Sequence, residues 1–325
     1  MTDLDLYTLT PVSMTDIPAD SPIVCATLRL AQTLSLAHDK QKQAGSGWRT
    51  LKAMTLGQWL GNLHDALALR GKAPAALNHL RVLNPFQEQL VWESVIQFQI
   101  DTSTEALFDL QALAAHASQA HKLSIEWNIP VDGSDQGSEE QQQFHQWQIA
   151  FRAYCQEKKL IDGASLHAQL IDHLPEVDHA LLPSQLCFAG FDHYTALEKK
   201  LHAQLDARGI RVSAIDQARR PGHVSHVRPS DIGQECLTIA AWAREQLSNN
   251  PQARLGIVAP DLETYQQPLQ DALEDMLTPE HIFARNAHQP RPFNISLGQA
   301  LSSTPIVQCA LTLLQLIGTR QDIDQ

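Results

Sequence analysis

Residues 186–215 constrain the fold of this chain more than any other stretch. Leu186-Cys187-Phe188-Ala189-Gly190 is a short apolar run closed by glycine, Thr195 to Ala207 carries apolar side chains at helical spacing, and Ile210 to Ile215 is a second strand-like run. Strand, helix and strand in that order make a parallel pair with a right-handed crossover, so the expected class is α/β with a parallel sheet. The same grammar occurs near the start. Pro22 to Thr27 is an apolar run passing into Leu28, Leu30, Ala31, Leu34 and Leu36 at helical spacing, a buried strand feeding a helix. After a loop from Lys40 to Thr50, Leu51 to Met54 is read as a strand and Leu56, Trp59, Leu60, Leu63, Leu67 and Leu69 as the stripe of a second helix.

Between about Pro85 and Asp178 the strand pattern gives way to helical periodicity, which predicts an all-helical insertion. Val91, Trp92, Val95 and Ile96 form one stripe; Leu107, Leu110, Leu113 and Ala117 a second; Phe144, Trp147, Phe151 and Tyr154 a third. The aromatic stripe has the composition of a base-stacking platform, but such spacing is the ordinary mark of a helix face packed into a core. Pro130 to Glu140, rich in Gly, Ser and Asp, is expected to be a mobile loop. Pro221-Gly222 marks a domain boundary. Beyond it the pattern predicts a strand near Val224 to Val227, a helix from about Asp231 to Leu247, a strand at Leu255 to Ala259 and a helix from Asp261. A last apolar helix is opened by Thr304 and Pro305. With 325 residues, 43% of them apolar, the chain is long enough for two domains. Its stop at Gln325, just past an apolar helix, suggests a piece of something longer.

Five scattered cysteines, Cys25, Cys155, Cys187, Cys236 and Cys309, include no Cys-x-x-Cys, which points to buried free thiols in a reducing compartment. The N-terminus lacks a signal-like apolar core, and no stretch approaches the roughly 20 apolar residues of a membrane span. A cytoplasmic protein is the expectation. A formal charge of -12 argues against a surface that coats nucleic acid everywhere, so any contact with DNA has to be local. The densest basic stretch holds Arg208, Arg211, Arg219, Arg220 and Arg228, with His223 and His226 inside it.

The motif readings favour plain roles. Gly71-Lys72 is followed by Ala73, so there is no Gly-x-x-x-x-Gly-Lys-Ser/Thr phosphate cradle, and no Asp-Glu dipeptide supplies a magnesium acid pair. Asp192, Glu198 and Lys200 imitate the acids and lysine of a metal-dependent nuclease, yet Thr195-x-x-Glu198 is a capping box that puts Glu198 in a helix's first turn. Asn294-Ile-Ser296-Leu-Gly298 departs from a nucleophile elbow at its first glycine. His223 and His226 lack a third ligand nearby in sequence. Asp192 and Asp261 each follow a strand-like run, at the edge where open α/β sheets bind ligands, with helix capping as the commoner role.

Several segments, in order along the chain, resemble the N-terminal part of the AddB/RexB-like family of DNA repair nucleases. They are Ala26-Thr-Leu-Arg-Leu-Ala31, Met54-Thr-Leu-Gly-Gln-Trp-Leu60, Phe188-Ala-Gly-Phe-Asp192, Glu235 to Glu245 with Ala240-Ala-Trp-Ala-Arg244, Leu255-Gly-Ile-Val-Ala-Pro-Asp261, and Phe293-Asn-Ile-Ser-Leu-Gly298. The resemblance implies an inactivated superfamily 1 helicase frame. A P-loop-NTPase-like α/β domain would span 1–220, with a helical insertion at about 85–178. The first part of a second helicase-like domain would span 221–325, and the family's nuclease domain lies further on. It implies a non-catalytic scaffold that binds single-stranded or forked DNA, a helicase-nuclease partner subunit, or both, with no cofactor, no metal and no catalytic residue in this stretch. Arg29, Arg219, Arg220 and Arg244 are the candidate DNA contacts. A nucleotide- or phosphate-binding α/β enzyme and a pure protein-interaction scaffold are the alternatives.

Overall fold

The computed structural model describes residues 7–18, 20–42, 49–99, 109–130, 138–215, 222–282, 291–296 and 301–321. Packing divides the chain into two compact units, Met1–Arg219 and Arg220–Gln325.

In the first unit the order is β1 (Thr10–Val12), β2 (Ile23–Cys25), α1 (Leu28–Lys42), β3 (Ala53–Thr55), α2 (Leu56–Leu69), β4 (Arg81–Val82) and α3 (Pro85–Gln99). Then come α4 (Leu110–Glu126), α5 (Glu139–Lys158), β5 (Leu160–Ile161), α6 (Gly163–Asp172), β6 (Gln185–Ala189), α7 (Ala196–Ala207) and β7 (Arg211–Ile215). Five strands pair in parallel in the order β1-β7-β6-β2-β3. Every residue of β2 and of β6 is buried, as strands covered on both faces require. One face carries the larger core, where Leu60, Leu67, Leu170, Leu174, Leu186 and Leu201 are fully enclosed. Each such side chain stabilises the fold by about 2 kcal/mol through removal of apolar area from water. Ile23, Cys25, Ala31, Cys187 and Ala189 fill the other face.

Helices α3, α4 and α5 close around a core of their own. Trp92 and Phe151 lie flat on one another there, ring centres 4.1 Å apart and 5° from parallel. Of the aromatic stripe, Phe151 is buried and Phe144 and Trp147 pack beside it, so its role is packing. The helical character does not run unbroken to Asp178. β5 interrupts it, pairing with β4 in a two-residue ladder that ties the root of α3 to the end of α5. α6 lends Leu166, Leu170 and Ile171 to the sheet core instead. β2 and β3 are found close to their expected positions, β3 shifted to Ala53–Thr55 because Thr55 serves as N-cap of α2, whereas β1 is not among the expected strands.

In the second unit, α8 (Ile232–Asn249) and α9 (Leu262–Leu277) pack through the small residues Cys236, Ala240, Ala243 and Ala272 with Leu269 and Leu273. α10 (Pro305–Gln321) follows. The strands expected at Val224 to Val227 and Leu255 to Ala259 are not strands: neither segment joins a ladder among the described residues. Leu255 and Ile257 still turn inward while Val258 is 93% exposed, an alternation of period two. The alternating pattern expresses one inward face, and strand identity also needs a backbone partner. Among the described residues no helix is long and apolar enough to cross a membrane.

Candidate functional site

The sense in which successive strands are added reverses between β2 and β6. From β2 the chain steps outward to β3, from β6 outward the other way to β7, and such a switch point opens the ligand crevice of an open α/β sheet at the strands' carboxyl ends. The two turns that line it are Ala26-Thr27 and Gly190-Phe191-Asp192.

The β2 to α1 turn holds only two residues before Leu28 opens the helix. Three of its polar groups are used within the fold. Thr27 Oγ1 accepts from the Leu30 N–H at 3.2 Å, the Thr27 carbonyl accepts from Ala31, and Ala26 N–H donates to the Ala189 carbonyl at 3.0 Å, stitching the two strand ends together. A phosphate cradle needs a longer glycine-rich loop with N–H groups facing outward. Gly190 has φ +77°, and a Cβ there would lie 2.5 Å from Leu30 Cδ2. The Leu30 side chain therefore packs against the Gly190 backbone at the head of the crevice.

Arg29 sits exposed in the first turn of α1 beside this mouth. Arg244 is exposed on α8 in the other unit, its Nη1 4.0 Å from Met276 Sδ. Arg219 and Arg220 lie outside the described residues. Arg208, the head of the basic stretch, is committed to the fold: its guanidinium donates to the carbonyls of Leu174 at 3.1 Å and Val177 at 2.7 Å and also to that of Pro175. Arg211, Arg228, His223 and His226 are exposed.

The nuclease-like trio is taken apart. Glu198 accepts from Thr195 N–H at 2.8 Å and from the Thr195 hydroxyl at 3.0 Å, completing the capping box, while Lys200 pairs with Asp172. Asp192 stands exposed in its turn. Asp261 caps α9: hydrogen bonds from the Thr264 hydroxyl and then its N–H hold the carboxyl below the usual carboxylate range. Of the elbow-like segment, Leu297 and Gly298 lie outside the described residues. Among the described residues no group of three or more His, Cys, Asp and Glu side chains is gathered as a metal ion requires.

Two features escaped the sequence reading. Behind the carboxyl edge, Phe188, Phe191, Tyr194 and His202 form an aromatic cluster, with Tyr7 bonded to His202 Nδ1 at 3.2 Å. Burial lowers the His202 pKa to about 4 and raises that of Tyr194 to about 12. Second, His121, Ser124, Gln148 and Asp162 are buried together where α4, α5 and α6 meet. Gln148 Nε2 is 2.9 Å from His121 Nδ1, and His121 Nε2 lies 3.5 Å from Asp162, an electrostatic contact longer than a good hydrogen bond. Burial opposes ionisation of Asp162, but the facing imidazole and the Ser165 N–H outweigh it and hold the carboxyl below its usual range. His and Gln on the inner faces of amphipathic helices look like solvent-facing residues in a sequence, so only their pairing exposes the cluster.

No protein-family model matches the chain, and no curated protein matches it either.

Proposed function

We infer that this chain is the non-catalytic, helicase-like region of a bacterial DNA repair or recombination nuclease of the AddB/RexB-like kind, a scaffold that binds single-stranded or forked DNA, a partner subunit of a helicase-nuclease, or both. One observation carries the reading. A parallel sheet has its switch point where a motor keeps nucleotide, and the turn there is two residues long with Leu30 laid over Gly190. On this reading residues 1–220 are the first helicase-like domain, with the helical stretch at about 85–178 as its insertion, and 221–325 open the second. Arg29 and Arg244 are the exposed candidate DNA contacts, and chemistry on DNA belongs to a nuclease domain elsewhere in the parent.

Fluorescence anisotropy of the chain with single-stranded and forked DNA at two salt concentrations is the test. Binding that weakens steeply with salt supports direct contact, since phosphate neutralisation releases counterions; no binding at low salt rejects it. A second reading, a scaffold that meets only proteins, is favoured by α10, where Ile306, Leu313, Leu314 and Leu316 are each more than half exposed. Co-purification of a stoichiometric partner by a chain with no DNA affinity would select it.

A further inference from the structure

One joint between the three-helix core of α3, α4 and α5 and the core on the sheet lies where α4 meets the start of α6, and it is polar. His121 on α4 is 1% exposed, Gln148 on α5 is 1% exposed and Asp162, the N-cap of α6, is 4% exposed. Trp92 and Phe151 wall the imidazole with tilted rings, centres 5.6 Å and 5.5 Å away. Since α6 carries Leu166, Leu170 and Ile171 into the sheet core, the contact of His121 with Asp162 links the two cores.

The hydrogen-bond pattern fixes the proton on the ring. Ser124 gives its hydroxyl hydrogen to the His121 carbonyl at 2.7 Å, so its oxygen can only accept from the Gln148 amide N–H₂ that meets it at 3.3 Å. The same amide nitrogen is 2.9 Å from His121 Nδ1, which therefore accepts, and the hydrogen of the neutral ring is on Nε2, 3.5 Å from Asp162 Oδ2. That is too long for a good hydrogen bond, and buried Nε2 has no other partner. In the neutral form the joint is slack. A second arrangement uses the same atoms. On a protonated ring Nδ1 donates, so the Gln148 amide turns over to present Oε1, the Ser124 hydroxyl swings to that oxygen, and an imidazolium faces the Asp162 carboxylate through Nε2. The carboxyl is ionised throughout, held below its usual range although burial opposes it.

Other ionisable groups on the packed elements have their own settings. On α3, Glu88 accepts from the Ser118 hydroxyl at 2.7 Å, and on α4 Lys122 pairs with Glu126 at 3.7 Å. On α5, burial and then Asp162 and Glu88 push the Cys155 thiol up to about 12, so it stays neutral, and Arg152 is exposed. On α6, burial and then Lys122 hold His167 below the usual range, and on α7 Lys200 pairs with Asp172. We propose that His121 and Asp162 form a pH-gated latch: the neutral imidazole leaves the three-helix core loosely held to the start of α6, and protonation of His121 clamps it there. The proton is held more firmly where the carboxylate faces it closely, so acid favours the closed joint. The inference stands apart from the scaffold reading, because the latch uses neither the second unit nor the switch point.

Amide hydrogen exchange on the full 325-residue chain at about pH 8 and about pH 6, corrected for the intrinsic pH dependence of exchange, tests it. The readout is the first turn of α6, where Ser165 N–H bonds Asp162 Oδ1 at 2.9 Å and Leu166 N–H bonds the Asp162 carbonyl at 3.0 Å. Relative to Asp162→Asn, protection there should rise about fivefold from the higher to the lower pH. Asparagine still caps the helix, so this variant keeps the fold, and thermal unfolding at about pH 8 checks that. His121→Gln should lose the rise as well. Ring-nitrogen NMR supplies a second readout: the imidazole signal missing from His121→Gln should show Nδ1 bare at about pH 8 and both nitrogens protonated at about pH 6. A protection change that wild type and Asp162→Asn share, a relative fall on acidification, or a His121 ring that keeps one form across this range overturns the proposal.

Discussion

Gly190→Ala should be among the most damaging single-methyl additions in the first unit, because two separate penalties meet at one carbon. The backbone there sits at φ +77°, where an L side chain costs roughly 1–2 kcal/mol. The added Cβ would also lie 2.5 Å from Leu30 Cδ2, an overlap that forces α1 or the Leu30 rotamer to shift at a cost of roughly 1–3 kcal/mol. The expected loss is therefore about 3 kcal/mol, read by urea unfolding through the fluorescence of Trp59 and Trp92, both buried in this unit. The two penalties separate in a double-mutant cycle. In a Leu30→Ala background the clash is gone, so Gly190→Ala should cost only its conformational part, and the cycle should show a coupling equal to the clash, about 1–3 kcal/mol. If Gly190→Ala costs less than about 1 kcal/mol, or if the two changes add within about 0.5 kcal/mol, Leu30 does not pack on Gly190 and the reasoning fails.

Acid should weaken the first unit through His202, whose pKa falls from 6.5 unfolded to about 4 folded because burial disfavours the charged ring. The unfolded chain binds that proton first, so this stability is complete above about pH 6.5 and is lost as pH falls toward 4. The loss is up to about 3 kcal/mol by urea melts across that range, and His202→Gln should flatten the slope. His167, shifted down by burial and by Lys122, acts in the same direction. Asp162→Ala removes both the cap on Ser165 N–H at 2.9 Å and the partner of buried His121, and should cost about 2–4 kcal/mol in thermal or urea unfolding. Thr195→Ala should cost about 1 kcal/mol and make no difference to any response of the chain to magnesium, since Glu198 serves the helix cap; a magnesium-dependent change in stability that Glu198→Gln abolishes would restore the metal reading.

The sheet was legible where physics leaves a one-dimensional trace. β2 and β6 are buried on both faces, so they stand out as continuous apolar runs, and the crossover from β6 through α7 to β7 followed from their order. β1 left no trace, because Thr10-Pro11-Val12 pairs, among the described residues, with β7 alone at the sheet edge, where proline is tolerated and a full apolar run is not required. In the second unit the alternation of 255–259 was real but its ladder was not, since sequence records which face is buried and not which backbone is alongside. Charge was the least readable signal. Arg208 counted toward a basic patch yet spends its donors on three carbonyls of 174–177.

ATP turnover by the purified 325-residue chain, with magnesium and with or without single-stranded DNA, shows whether the switch point can serve a nucleotide. With Leu30 packed on Gly190 and Ala26 bonded to Ala189, no hydrolysis above the buffer blank is expected under either condition. Magnesium-dependent turnover that Thr27→Ala or Asp192→Asn abolishes would place a working nucleotide site in that crevice and contradict it.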